Sequence, residues 1–166
     1  KCWGDFMVKY TWIKKSVPKE LLVKQVYGIV FSNDGNILLR VDNNKYKLTG
    51  GKPENSDDNF CDTLKREYIE ELNIELENIH YLGYLLVEEK QEKYAQVRMI
   101  AKIKNVGNIR PDIDNGKIYG RFMSKQINVK TYLNYQDLAG NQLIDDAIKL
   151  ANEKYNFIFT NEEYYI

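Results

Sequence analysis

The chain has 166 residues, enough for one domain that buries a sizeable core. Hydrophobic residues make up 43% and aromatics 13%, which excludes a disordered chain. Lys plus Arg and Asp plus Glu number 24 each, so net charge supplies no attraction to nucleic acid or to a membrane surface.

From the start, Phe6, Val8, Tyr10 and Trp12 alternate through Phe6 to Lys14, the pattern of an edge strand that Pro18 ends. Residues 1–18 read as a strand-like extension, and Trp3 and Trp12 make it rich in aromatics that stack bases or anchor partners elsewhere. Leu21 to Ser32 reads as a central strand, and Asn33-Asp34-Gly35-Asn36 as a hairpin turn leading into Ile37 to Val41. A second polar turn, Asp42-Asn43-Asn44, leads through Tyr46 and Leu48 to Gly50-Gly51, where the backbone can turn sharply and approach a ligand.

The chain is organised around the stretch from Gly50 to Ile74. Within it, Asn55, Ser56, Asp57 and Asp58 read as the cap and first turn of a helix, and Asn73 as its left-handed stop. At about 100° per residue, Glu67, Glu70 and Glu71 fall at i, i+3 and i+4 on one face. Phe60, Leu64, Tyr68 and Leu72 form an apolar stripe about a quarter-turn away. Like charges so close repel one another, and converging hard oxygen ligands are what Mg²⁺ or Mn²⁺ requires.

These residues resemble the signature of the Nudix hydrolases, G-x5-E-x7-R-E-U-x-E-E-x-G-U with U a bulky apolar residue. Gly51 matches the leading glycine, and Arg66-Glu67-Tyr68-Ile69-Glu70-Glu71 matches the core in register. The expected loop glutamate is replaced by Asp57, or by Asp58 if the loop carries one extra residue; the late glycine is Asn73. The resemblance implies a loop-helix-loop that binds a divalent cation and a diphosphate. It makes Glu67, Glu70 and Glu71 metal ligands, with Glu71 foremost, and adds the Gly51 carbonyl. Arg66 can orient Glu70, four residues on, and Lys52 and Glu54 line the loop as phosphate or metal-water contacts.

Further on, Ile79 to Val87 and Tyr94 to Ile103 read as strands around the charged turn Glu88 to Lys93, a solvated hairpin. His80, the single histidine, reads as structural. The segment Lys104 to Asn115 is a loop, and a strand comes after it at Lys117 to Met123. In the resembled family such a loop often supplies a further acid, here Asp112 or Asp114. After Gly140, Ile144, Ala147, Ile148, Ala151 and Tyr155 mark a packing helix whose Asp145 and Asp146 lie near its start. The ending FIFTNEEYYI suits a short last strand or a docked terminus.

Together the elements predict an α+β class, an α/β/α sandwich with a mixed sheet between helices, which is the Nudix fold; residues 1–166 read as one domain. The implied activity is metal-dependent hydrolysis, with Mg²⁺ or Mn²⁺, of the pyrophosphate bond in a nucleoside diphosphate linked to another group. A non-catalytic nucleotide-binding or regulatory domain of the same fold is the alternative. The 13 tyrosines and two tryptophans are ample stacking candidates for a nucleotide-type small molecule. Balanced charge and the lack of a basic tail argue against a nucleic-acid partner, and a homodimer is compatible with the sequence. Cys2 and Cys61 make no disulfide framework, no apolar run nears the roughly 18 residues a membrane span needs, and no signal-peptide core is seen; a cytoplasmic location is expected.

Overall fold

A computed structural model describes residues 7–166. Nine strands form one sheet: β1 Lys9–Ile13, β2 Val23–Phe31, β3 Ile37–Asp42, β4 Lys45–Lys47, β5 Gly50–Gly51, β6 Ile74–Glu89, β7 Glu92–Val106, β8 Gly120–Ser124 and β9 Tyr164–Tyr165. Three α-helices accompany it: α1 Phe60–Leu72, α2 Val129–Tyr132 and α3 Leu138–Lys154. The main order is β1-β6-β7-β2-β3-β8-β9, with β4 paired to β3 and β5 to β2. The β2–β7 pair is parallel and the others antiparallel, so the sheet is mixed as expected. Phe6 and Trp3 lie outside the described residues. No described helix is long and apolar enough to cross a membrane.

Alternation along β2 fixes which helix covers which face. Val26 and Val30 face Leu64, Tyr68 and Leu72 of α1, together with Leu38, Val97 and Met123. Ile29 and Phe31 point the other way, toward Leu143, Ile144, Ala147 and Ala151 of α3. The sheet is therefore buried on both sides, which is why its central strands run almost continuously apolar. This is the α/β/α sandwich, and it sets α1 on one face with its unburied edge free for other work.

Several boundaries differ from the sequence reading. The cap of α1 is Asn59, whose side chain accepts from the Asp62 amide, so Asn55 to Asp58 belong to the preceding loop. The α1 stop is as expected: Asn73 sits at φ 52° and ψ 47°. Strand β6 begins at Ile74 because the chain leaves that cap straight into the sheet. Helix α3 starts at Leu138, two turns before Asp145 and Asp146, so the dipole does not account for them. Asp146 instead accepts the Trp12 indole N–H at 2.8 Å, and Asp145 pairs with Lys130 at 2.6 Å. The Glu88 to Lys93 turn is a charged hairpin, with Lys93 facing Glu88 and Lys24 facing Glu92. His80 packs near the Tyr155 ring, and the ending forms β9.

The sheet has one break that matters. Strands β2 and β3 share a single registered pair, Phe31 with Ile37, and then separate. Short β5 takes the vacated edge of β2, pairing Gly51 with Val26 and Gly50 with Tyr27, while β4 pairs along β3. The resulting cleft opens beside the start of the loop that leads to α1.

Candidate active site

The glycine pair is there for lack of room. A Cβ on Gly50 would stand 2.0 Å from the Val26 carbonyl oxygen, and one on Gly51 would stand 2.3 Å from Glu67 Oε1. The loop backbone thus lies directly against a helix carboxylate, as a shared cation site needs.

Asp57 anchors the loop. Its carboxylate takes a two-pronged pair from Arg66, with Nε at 3.1 Å and Nη2 at 2.9 Å, and also accepts from the Thr63 hydroxyl and the Glu54 amide. Those hydrogen bonds, from Arg66 above all, hold Asp57 well below the usual carboxylate range. Asp58, the other residue open to that place in the sequence, is exposed and makes only a backbone bond to Asp62. Arg66 Nη2 reaches the Lys52 carbonyl at 3.0 Å, while Nη1 lies 2.9 Å from Glu67, 3.3 Å from Glu70 and 3.5 Å from Glu54. One guanidinium joins loop to helix and orients two of the three glutamates.

Glu71 stands apart from that network. Arg40 of β3 donates to it at 2.6 Å, with its guanidinium 4.7 Å above the Tyr119 ring. Burial raises the proton affinity of Glu67, Glu70 and Glu71, each against the pull of its arginine. Asp114 raises Glu67 and Glu70 further, and Asp112 raises Glu71. Both loop acids therefore lie within electrostatic reach of the helix glutamates. Asp112 is 5% exposed and accepts the Asp114 amide in a tight turn, whereas Asp114 is exposed. Lys52 and Glu54 are exposed on the loop rim.

Do these residues suit a divalent cation? The donors are hard oxygens, the loop backbone touches Glu67, and the three glutamates carry unfavourable like-charge crowding that a cation relieves. Among the described residues no three side-chain donors already converge at one point, because the arginines draw Glu67 and Glu70 one way and Glu71 another. The chemistry of the set fits a hard cation.

Two parts of the site escaped the sequence reading. Arg40 shares a strand face with Leu38, and Gln96 and Arg98 alternate with Ala95 and Val97 inside a buried strand. A polar side chain at an inward position of an apolar run was the available signal. With Tyr27, Tyr46, Lys47, Leu48, Leu133 and Tyr135, these residues line a cavity of about 320 Å³ in the cleft.

A mixed sheet between helices, a glycine loop and an arginine-bound glutamate helix at the sheet break together define the Nudix fold. Solved structures share it. The RppH pyrophosphohydrolase of Bacillus subtilis aligns with a TM-score of 0.67 at 18% identity, covering 87% of this chain and 92% of its own. The Nudix domain of NrtR from Shewanella oneidensis, complexed with ADP ribose, gives 0.58 at 17% identity over 80% and 89%. MutT of Aliivibrio salmonicida and Vibrio cholerae gives 0.54 at 16% over 73% and 94%. No family model matches the sequence, and no curated protein matches it significantly.

Proposed function

We propose that the chain is a divalent-metal-dependent hydrolase that cleaves the pyrophosphate bond of a nucleoside diphosphate linked to another group. The observation that carries this reading is Glu67 lying against Gly51, with Glu70 beside it on Arg66 and Glu71 held by Arg40 at the mouth of a cation-lined cleft. Glu71, Glu67 and Glu70 would hold Mg²⁺ or Mn²⁺ with the Gly51 carbonyl, and the cation would neutralise diphosphate oxygens and polarise the attacking water. Arg66 positions Glu67 and Glu70 and keeps the loop on the helix. A glutamate left free of the cation, or the adjacent Asp112 or Asp114, would take the proton of that water. Lys52 and Glu54 stand where the loop meets incoming phosphate. Tyr27, Tyr46 and Tyr135 offer ring faces to a base.

A second reading has its own support. Each of the three glutamates already touches an arginine, Glu67 and Glu70 sharing Arg66 and Glu71 on Arg40, an arrangement that suits a domain binding nucleotide without cleaving it. One experiment separates the two. Phosphate and pyrophosphate release is measured over a nucleotide panel with Mg²⁺ or Mn²⁺, for the wild-type protein and Glu71→Gln. Turnover that falls by about a hundredfold or more in the variant supports the hydrolase. Absence of turnover across the panel, with nucleotide still raising the melting temperature, supports the binding domain.

A further inference from the structure

Arg98 is the anomaly of the cleft. It sits on β7, directly across from Tyr27 of β2, and only 4% of it is exposed. Buried guanidinium groups ordinarily face a carboxylate or a full set of acceptors. Arg98 has neither. Among the described residues it reaches the Gln96 carbonyl at 3.4 Å, the Val97 carbonyl at 3.5 Å and Gln96 Oε1 at 3.4 Å, all at the long limit of a hydrogen bond, and interacts with the neutral Tyr135 hydroxyl. Its Nε has no partner, and its guanidinium lies 4.6 Å from the Tyr27 ring centroid. By contrast Arg121, similarly buried, donates to the carbonyls of Leu72, Gly107 and Ile166 at 2.8–3.1 Å.

The surroundings name the missing partner. Among the described residues the cavity wall carries Arg40, Lys47 and Arg98 and no carboxylate. Arg40 is committed to Glu71. Lys47 is exposed and makes no ion pair among the described residues. Two cations with no carboxylate partner among the described residues, one of them desolvated, suit a dianion. We propose that this cavity holds a phosphate group of the ligand, seated on Arg98 and Lys47, at the end of the molecule remote from the diphosphate facing Glu71. This rests on the hydrolase reading for its orientation and narrows the substrate class to diphosphates bearing a further phosphate.

The first test needs no metal and no turnover. In EDTA, inorganic phosphate is titrated against the wild-type protein, Arg98→Gln and Lys47→Ala while thermal unfolding is monitored. A saturable rise in melting temperature is expected for the wild type, with apparent affinity about tenfold or more weaker in Arg98→Gln and weaker also in Lys47→Ala. Exposed Lys47 serves as the variant that cannot fail through misfolding. A rise that is unsaturable, or equal in all three proteins, is a general salt effect and overturns the proposal.

The second test uses ADP ribose, a nucleoside diphosphate linked to another group, and its counterpart phosphorylated at the adenosine 3′ position, with Mg²⁺. Arg98→Gln should raise KM about tenfold for the phosphorylated member alone. Equal effects on both overturn the assignment. Absence of turnover on both and across the nucleotide panel, with phosphate binding still lost in Arg98→Gln, overturns the hydrolase reading and leaves the phosphate site standing.

Discussion

Asp57→Ala probes whether the loop ahead of α1 is held by one carboxylate. The substitution removes the two-pronged pair with Arg66, the Thr63 hydroxyl bond and the Glu54 amide bond together. Breaking a buried ion pair costs about 3–5 kcal/mol when the surviving charge is stranded. Arg66 is not stranded, since Glu54, Glu67 and Glu70 remain within 3.5 Å, so a loss of about 2–3 kcal/mol is expected. For a chain of this size that lowers the melting temperature by roughly 5–10 °C. Asp58→Ala, which removes only an exposed side chain, should stay within about 0.5 kcal/mol of the wild type. The pH dependence has a defined sign. Asp57 has a folded proton affinity depressed below the unfolded value of about 3.9, so its contribution is complete above about pH 5 and shrinks as pH falls below about 4. Thermal melts of the three proteins from pH 3.5 to 7 measure both effects. Equal melting temperatures for Asp57→Ala and the wild type at pH 7, or a gap that widens on acidification, would refute the reasoning.

The two glycines of β5 should separate fold from site. Gly50→Ala drives a methyl into the Val26 carbonyl and should cost about 3 kcal/mol or more in urea unfolding. Gly51→Ala meets only the movable end of Glu67, so stability should change by less than about 1 kcal/mol while any turnover falls tenfold or more. At the end of α1, Asn73→Ala should cost about 1–2 kcal/mol for its left-handed backbone, and Asn73→Gly should recover most of it in the same assay. Trp12→Phe loses the indole bond to Asp146 that ties β1 to α3, and should lower the melting temperature by about 2–4 °C.

The glutamate helix was legible because its information is local. The i, i+3, i+4 spacing, the apolar stripe and the Asn73 stop are all set by neighbours within a few residues. The start of α1 was misplaced by one to four residues, since four adjacent residues could cap and only Asn59 adopts the extended backbone with its side chain on Asp62. Asp57 and Asp58 could not be told apart from sequence because the deciding contact, Arg66, is nine residues away. Arg40 and Arg98 left only one local trace, a polar side chain inside an apolar run, for a related reason. Each is given its meaning by a partner on another element: Glu71 for Arg40 and Tyr27 for Arg98. Asp146 was ascribed to the helix end because the partner that explains it, Trp12, lies 134 residues away.

The single rung between β2 and β3 makes the sheet two leaves stitched at one end. Arg40 belongs to one leaf, and Tyr27 and Arg98 to the other. Any ligand long enough to touch both is a crossbar, and its binding energy adds to the cohesion of the sheet itself. Amide exchange in the β2 and β3 backbone beyond Phe31 and Ile37 should then slow together when the cleft is filled, although no backbone hydrogen bond joins those stretches.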